Sequence, residues 1–244
     1  MPLIAKFLYA LYALYAAVLF VIVALGAMLI MVALPGLSRR RWLARKAARA
    51  FLRLAGMRLT VAGLERLPAG HCILVANHCS YLDGVVFTAA LPPRFGFVIK
   101  REMASVPLAG FLLNRIGSQF MARDKTGQTT KDARRVMRSA LSGESMVFFP
   151  EGTFSEEPGL LKFHFGAFAA AQRAGCPVVP AIIHGSRVAL SPRGGLPHPT
   201  ALHIEILEPV IPDSLPGTEA VATLCRQARN AILGKLQEPD REAA

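Results

Sequence analysis

Acidic residues are absent from the first quarter of the 244-residue chain. The first is Glu65, whereas nine basic residues precede it, namely Lys6 and eight between Arg39 and Arg58. Of the formal net charge of +12, only +3 therefore remains for residues 59–244, which hold nineteen basic and sixteen acidic residues. This mild excess, with no recognisable nucleic-acid-binding module in the body of the chain, argues against a nucleic-acid partner.

Cysteine is scarce, and two common catalytic patterns are missing. The four cysteines show no CxxC spacing, which argues against a disulfide framework or a zinc ribbon and favours a reducing compartment. The chain has no Gly-x-Ser-x-Gly elbow, so a serine hydrolase would lack its nucleophile. No spacing typical of metal ligands is present, and we expect no metal.

Apolar residues, by contrast, make up 53% of the chain and are concentrated near its start. Residues 7–34 contain no charge, and a membrane-spanning helix needs roughly 20 apolar residues. Tyr9, Tyr12 and Tyr15 lie where interfacial aromatic residues are expected. A cleaved signal peptide is the alternative, but the run exceeds the usual apolar core of about 7–15 residues. We expect a retained anchor that either spans the bilayer or enters one leaflet.

A basic segment follows Pro35-Gly36, which ends the predicted anchor helix. On a helical wheel its basic and apolar residues separate, which predicts a basic amphipathic helix lying on anionic lipid. The basic face consists of Arg39, Arg41, Arg45, Lys46, Arg49 and Arg53. The positive flank predicts that the rest of the chain lies on the cytoplasmic side of the inner membrane. We expect residues 1–58 to form the membrane unit and residues 59–244 a catalytic domain.

In the body of the chain, short apolar runs alternate with helical patterns. This alternation predicts an α/β fold with a largely parallel sheet flanked by helices. The predicted strands are 59–62, 72–76, 95–99, 118–121, 146–149, 178–183 and 203–207. The predicted helices are 84–91, 103–114, 128–142, 165–174 and 218–237.

A histidine and an aspartate follow the predicted strand 72–76. The sequence NHCSYLD at 77–83 places His78 and Asp83 five residues apart, so on a regular helix they would not share a face. Across a turn they can pair, and a carboxylate on one imidazole nitrogen leaves the other as a base near neutral pH. Two alternatives stay open from these residues alone. In the first, Asp83 only caps the following helix and His78 is a buried, hydrogen-bonded histidine. In the second, Cys79 is a nucleophile and His78 is its base.

Four blocks of sequence, in order, resemble the glycerolipid (lysophospholipid) acyltransferase family, typified by 1-acylglycerol-3-phosphate acyltransferases. NHCSYLD at 77–83 is similar to NHxSxxD, GSQFMAR at 117–123 to GxxFxxR, FPEGTFS at 149–155 to FPEGTRS, and CPVVPA at 176–181 to a PVxP-type strand. The resemblance implies a glycerol-3-phosphate acyltransferase-like sheet and acyl transfer without a covalent intermediate.

In that mechanism His78 deprotonates the hydroxyl of a lysophospholipid, Asp83 orients His78, and amides near Gly152 stabilise the oxyanion. The resemblance also implies substrate binding by Asn77, Ser80, Arg123, Glu151, Gly152 and Thr153. Arg123 suits a phosphate, with pairing to Asp124 as its alternative. We expect no cofactor, with an acyl-CoA or an acyl-carrier protein as co-substrate and the lipid bilayer as a partner.

Two positions depart from the family pattern. Phe154 stands where the third block usually has arginine, and His164 replaces a positive charge downstream. The first change removes one phosphate contact that the resemblance implies, and Lys162 could partly substitute for the charge replaced at His164. The acceptor is therefore open between 1-acylglycerol-3-phosphate and another lysolipid, such as a lyso-ornithine lipid or a zwitterionic lysophospholipid. A membrane lipid-binding protein without catalysis is the alternative from another class, although the set His78, Asp83 and Glu151 is intact.

Overall fold

The computed structural model describes residues 3–122, 127–192, 196–213 and 217–242. The helices are α1 (Leu3–Ala33), α2 (Leu37–Leu54), α3 (Asp83–Ala90), α4 (Ala109–Arg115), α5 (Gly127–Leu141), α6 (Gly166–Ala174), α7 (Ser186–Ala189) and α8 (Thr218–Leu236). The strands are β1 (Leu59–Ala62), β2 (Ile73–Ala76), β3 (Phe95–Lys100), β4 (Gln119–Met121), β5 (Ser145–Phe148), β6 (Leu160–Leu161), β7 (Val178–His184), β8 (Leu202–Ile206) and β9 (Asp240–Arg241). Short 3-10 turns cover Leu64–Arg66 and Arg101–Ser105.

Seven strands form one sheet in the order β1-β8-β7-β2-β5-β3-β4, and β6 pairs with β9 separately. The five strands from β7 to β4 are parallel, β8 is antiparallel to β7, and β1 is parallel to β8. The predicted α/β sheet is therefore confirmed. Because β2 lies between β7 and β5, the segments that follow β2 and β5 meet at the same edge of the sheet.

The sheet is buried on both faces, which explains its nearly continuous apolar strands. In β2, Leu74 and Ala76 pack into a core with α2 and α3, whereas Ile73 and Val75 pack into a core with α5, α6 and α8. All four residues of β2 are fully buried. The block 77–83 therefore begins at the end of a fully enclosed strand.

The first two helices form an antiparallel hairpin. In the described part of the chain, α1 is the one helix long and apolar enough to cross a membrane, and most of its large side chains are exposed. The hydroxyls of Tyr12 and Tyr15 donate hydrogen bonds to the carbonyls of Ala55 and Leu54, at 2.8 and 3.0 Å. These tyrosines thus satisfy carbonyl groups at the C-terminal end of α2, a role that their interfacial position did not predict.

The basic face of α2 differs in part from the prediction, although the helix itself is confirmed. Arg41 is buried and donates to the carbonyls of Ile116 and Arg94, both at 2.9 Å, and it forms an ion pair with Glu144. Arg45 and Arg49 donate to carbonyls at the end of α3, at 3.2 and 2.7 Å. These three arginines hold the helix against the domain. Arg39, Lys46, Arg49 and Arg53 are exposed, and contact of this face with lipid stays a prediction.

One predicted helix is divided. Residues 103–114 become a 3-10 turn followed by α4, because Pro107 interrupts the pattern and Leu108 adopts a φ of 63°. Three short elements, β6, α7 and β9, are additions that no periodicity predicted, since each has only two to four residues. The two-stranded pairing of β6 with β9 joins the segment after the third block to residues after α8.

Candidate active site

His78 and Asp83 meet across the turn between β2 and α3. The Nδ1 atom of His78 lies 2.8 Å from Oδ2 of Asp83, whose side chain is completely buried. The same Oδ2 accepts the N–H groups of Cys79 and Ser80, at 2.7 and 3.0 Å. Asp83 therefore both shapes the turn and fixes the ring. It does not cap α3, because the N–H groups that it accepts precede the helix.

Two aromatic rings enclose the imidazole of His78. Phe149 stacks on it with centroids 4.3 Å apart, and Phe154 meets its edge at 4.5 Å. Tyr81 in turn contacts Phe154 edge-on at 4.8 Å. The side chain of His78 is 16% exposed, and its Nε2 atom makes no hydrogen bond to any residue that the structure describes. The free nitrogen is thus available as a base in a largely apolar setting.

Glu151 joins the third block to the first. Its Oε1 atom accepts the backbone N–H of His78 at 2.7 Å, and Oε2 accepts the N–H of Leu161 at 2.9 Å. Burial raises the pKa of this carboxyl to about 7, and the two N–H bonds limit the rise. Both oxygens accept main-chain N–H groups, so the geometry gives Glu151 a positioning role, and its expected contact with substrate stays a prediction.

Asn77 and Ser80, expected to bind substrate, lie in the buried frame of the site. The amide of Asn77 forms a matched pair with the backbone of Ile183, accepting at 2.8 Å and donating at 3.1 Å. Ser80 donates to the carbonyl of Leu190 at 2.7 Å and accepts the N–H of Leu82 at 3.1 Å. Both side chains bond to backbone groups of Ile183, Leu190 or Leu82, and these bonds hold the motif against β7 and the end of α7.

The three other residues expected to bind substrate are Gly152, Thr153 and Arg123. Gly152 has a φ of +73°, and its N–H donates to the carbonyl of Phe149 at 3.0 Å, so this amide closes a turn and is not free for an oxyanion. Thr153 is exposed beside it. Arg123 lies outside the described residues, and its phosphate role stays a prediction.

Cys79 is not a nucleophile in this arrangement. Its sulfur accepts from Nδ2 of Asn77 at 3.1 Å, and burial raises the pKa of the thiol far above its usual range. A cation missed by the sequence analysis lies nearby, since Arg187 approaches the same sulfur at 3.6 Å and donates to the carbonyls of Ser155 and Glu157. The one signal in the sequence that could have indicated Arg187 is its position shortly after the fourth block, 176–181.

An apolar cavity of about 580 Å³ adjoins the turn that carries His78 and Asp83. Small residues of α1 and α2, including Ala24, Ala27 and Ala48, line one side, and α3 and α4 line the other. Tyr81, Leu82 and Gly84 belong to its wall. Its lining has very few polar atoms, so it suits a hydrocarbon chain.

Comparisons with known proteins agree with this geometry. Residues 58–184 match the family model described as Acyltransferase. The chain is 26% identical over 188 residues to 1-acyl-sn-glycerol-3-phosphate acyltransferase of Saccharomyces cerevisiae, covering 76% of this chain and 62% of that one. It is 29% identical to lyso-ornithine lipid O-acyltransferase of Pseudomonas aeruginosa, covering 79% and 76%. A further match, to the chloroplastic enzyme BAT2 of Brassica napus, spans only 49% of that relative.

The fold also has a counterpart among solved structures. The crystal structure of the 1-acyl-sn-glycerophosphate acyltransferase PlsC from Thermotoga maritima aligns with a TM-score of 0.74 and 21% identity. The alignment covers 96% of this chain and 97% of that one, including the helical hairpin. On the strength of the family model, which spans just over half of the sequence, this chain belongs to the Acyltransferase family.

Proposed function

We propose that the protein transfers a fatty acyl group from an acyl thioester to the free hydroxyl of a lysophospholipid. The observation that carries this proposal is the pairing of His78 with the buried carboxylate of Asp83 in a turn whose neighbouring residues Tyr81, Leu82 and Gly84 line an apolar cavity. The carboxylate selects one tautomer and leaves Nε2 to remove a proton. The cavity supplies space for the acyl chain next to the turn that carries His78.

The reaction follows from these groups. Nε2 of His78 takes the proton of the acceptor hydroxyl as its oxygen attacks the thioester carbonyl carbon, and Asp83 stabilises the imidazolium that forms. The tetrahedral intermediate collapses with cleavage of the carbon–sulfur bond. The imidazolium then returns the proton to the departing thiolate. No covalent intermediate on the protein is needed, which agrees with the inert state of Cys79.

The donor is an acyl-CoA or an acyl-carrier protein, and no cofactor takes part. The bilayer supplies the acceptor and receives the product. The exposed apolar surface of α1 supports attachment to a membrane, and the basic residues between Arg39 and Arg58 favour the cytoplasmic side of the inner membrane. Because α2 lies antiparallel to α1 and its arginines contact the domain, we favour insertion of the hairpin into one leaflet over a simple span.

Two acceptors deserve a direct test. 1-Acylglycerol-3-phosphate, giving phosphatidic acid, is the first, because relatives carry that activity in their names. A lyso-ornithine lipid is the second, favoured by relatives of that name and by Phe154, which presents an apolar edge to His78 where an arginine would present charge. A phosphate dianion gains nothing from such a neighbour.

The deciding experiment uses purified full-length protein with a panel of lysolipids and both donor types, and His78→Ala as the inactive control. Transfer to one anionic or ornithine acceptor that His78→Ala abolishes supports the proposal. Lipid binding by the wild type without transfer to any acceptor would favour a non-catalytic lipid-binding protein. Flotation with vesicles of anionic lipid tests the membrane attachment in the same preparation.

A further inference from the structure

The chain folds back onto the third block through residues 238–242, which we call the C-terminal clasp. Within it β9 pairs with β6, and the N–H of Leu160 donates to the carbonyl of Pro239 at 3.0 Å. The buried Arg229 of α8 donates to both carboxylate oxygens of Asp240, at 3.0 and 2.5 Å, and to the carbonyl of Leu160 at 3.1 Å. One guanidinium thus ties the clasp to β6.

From β6 the contacts continue to the catalytic histidine. The N–H of Leu161 donates to Oε2 of Glu151, and Oε1 of Glu151 accepts the N–H of His78. Leu161 belongs to the β6–β9 pairing, so Glu151 alone links this pairing to the main chain of His78. Any shift of β6 moves the N–H of Leu161, which is one of the two N–H groups that bind the carboxylate of Glu151.

A second set of contacts connects the clasp, through Glu238 and Arg187, to the surroundings of the His78 ring. Glu238 accepts the N–H of Gly159 at 2.6 Å and a hydrogen bond from Arg187 at 3.2 Å. Gly159 has a φ of +138°, and a Cβ atom there would lie 2.4 Å from Cδ of Arg241, so the close approach of the clasp requires glycine.

The loop held by this branch carries Phe154. Arg187 donates to the carbonyl of Ser155, and Arg241 donates to the hydroxyl of Ser155 at 3.3 Å. Arg241 also forms an ion pair with Glu157 at 3.0 Å. Ser155 follows Phe154, whose edge contacts the imidazole of His78. The clasp therefore restrains both the main chain and the ring environment of the base.

We propose that the C-terminal clasp is a positioning element for His78, acting through Asp240 with Arg229 and through Glu238 with Arg187. This inference rests on the proposed function, because it concerns the same base. Reaction rates fall steeply when a catalytic group is displaced, and a misplacement of about 1 Å can cost about a hundredfold. A burial as complete as that of Arg229 is costly unless its partner is held in place.

The test compares Asp240→Asn and Glu238→Gln with Glu219→Gln, an exposed carboxylate in the first turn of α8. Each change removes one negative charge from the full-length protein and keeps the side-chain size. We expect kcat of both clasp variants to fall about ten- to a hundredfold with unchanged KM for donor and acceptor. Glu219→Gln should retain wild-type kcat. If the clasp had a purely structural role, the variants would have a lower melting temperature without a fall in kcat at unchanged KM.

A second readout does not depend on activity. The imidazole nitrogen NMR signals of His78, identified as those missing from His78→Ala, should shift in both clasp variants and not in Glu219→Gln. Wild-type kcat and unshifted His78 signals in folded clasp variants would overturn the proposal. If Asp240→Asn does not fold, Glu238→Gln decides alone. If the wild type transfers no acyl group to any lysolipid, the proposed function fails, and the NMR signals still decide the clasp.

Discussion

The carboxylate of Glu151 holds the backbone N–H of His78 at 2.7 Å. The third sequence block thus acts on the main chain of the first, and the two blocks form one unit because β2 and β5 are neighbours in the sheet. This contact gives the carboxylate of Glu151 a role in holding the main chain of the site. It also makes the charge state of Glu151 part of the stability of the site.

Glu151 should make stability depend on pH. Burial raises the pKa of its carboxyl from 4.5 to about 7, so the folded state binds this proton more tightly than the unfolded state. The resulting stability is fully present below pH 4.5 and is lost as the pH rises through about 7.

Glu151→Gln should remove that contribution and flatten the fall in melting temperature over this range. The amide also keeps only one acceptor for two N–H groups, which costs about 1–3 kcal/mol. Thermal unfolding of both proteins across the pH range measures the two effects. Parallel profiles would contradict the assignment.

Loss of the Asp83 carboxylate should disable the base while the ring stays in place. In Asp83→Asn the amide no longer selects the tautomer that frees Nε2, and the change should lower kcat by about 10³- to 10⁴-fold. His78→Ala should reduce transfer to background. Acyl transfer measured with a saturating donor checks both.

His184→Ala is the matched control for these variants, because His184 lies at the end of β7 and stacks on His203, away from Asp83. It should keep near-normal transfer. A His78→Ala protein that still transfers at the wild-type rate would remove the general base from the mechanism.

Phe154 should govern the choice of acceptor. Phe154→Arg places a cation beside His78, where a phosphate dianion gains a charge-assisted hydrogen bond of about 1.5–3 kcal/mol. We expect kcat/KM for 1-acylglycerol-3-phosphate to rise about tenfold or more relative to a lyso-ornithine lipid. Phe154→Leu, which changes the packing without adding charge, is the control. An equal change for both acceptors in the arginine variant would show that the residue does not read the head group.

The apolar cavity should set the length of the acyl chain. Ala24 lies in the cavity wall, whereas its neighbour Leu25 is exposed on the outer side of α1. Ala24→Phe fills space that a chain would occupy, and each excluded methylene forfeits about 0.8 kcal/mol, roughly a fourfold preference. Competition between long and short acyl donors should therefore shift towards short ones in Ala24→Phe and not in Leu25→Phe. Unchanged selectivity in both would place the acyl chain elsewhere.

Much of the fold was accessible from sequence because its signals are local. Apolar runs predicted all seven strands of the main sheet, and the turn after β2 predicted the meeting of His78 with Asp83. The partners of Glu151 and Asn77 were not accessible, because a polar residue in a motif looks the same whether it faces substrate or backbone.

The contacts that the basic face of α2 makes with the domain were not accessible for a related reason. Charge pattern alone cannot distinguish lipid from the carbonyl groups at the end of α3, which Arg45 and Arg49 satisfy. The clasp was missed because β6 and β9 have two residues each, too few for any periodicity, and they pair across about eighty positions of sequence. Contacts of this kind appear only once the chain is folded.

Arg41 should couple the helical hairpin to the domain. It is 8% exposed, bonds to the carbonyls of Ile116 and Arg94, and pairs with Glu144, whereas Arg39 on the same helix is exposed. Arg41→Met leaves the half-buried carboxylate of Glu144 and two carbonyls without their donor and should cost about 1–3 kcal/mol, which lowers the melting temperature by roughly 2–12 °C. Arg39→Met removes the same charge from the surface and should leave the melting temperature nearly unchanged. Both variants should still float with vesicles because the apolar surface of α1 is intact, so equal melting temperatures would mean that the hairpin is held by apolar packing alone.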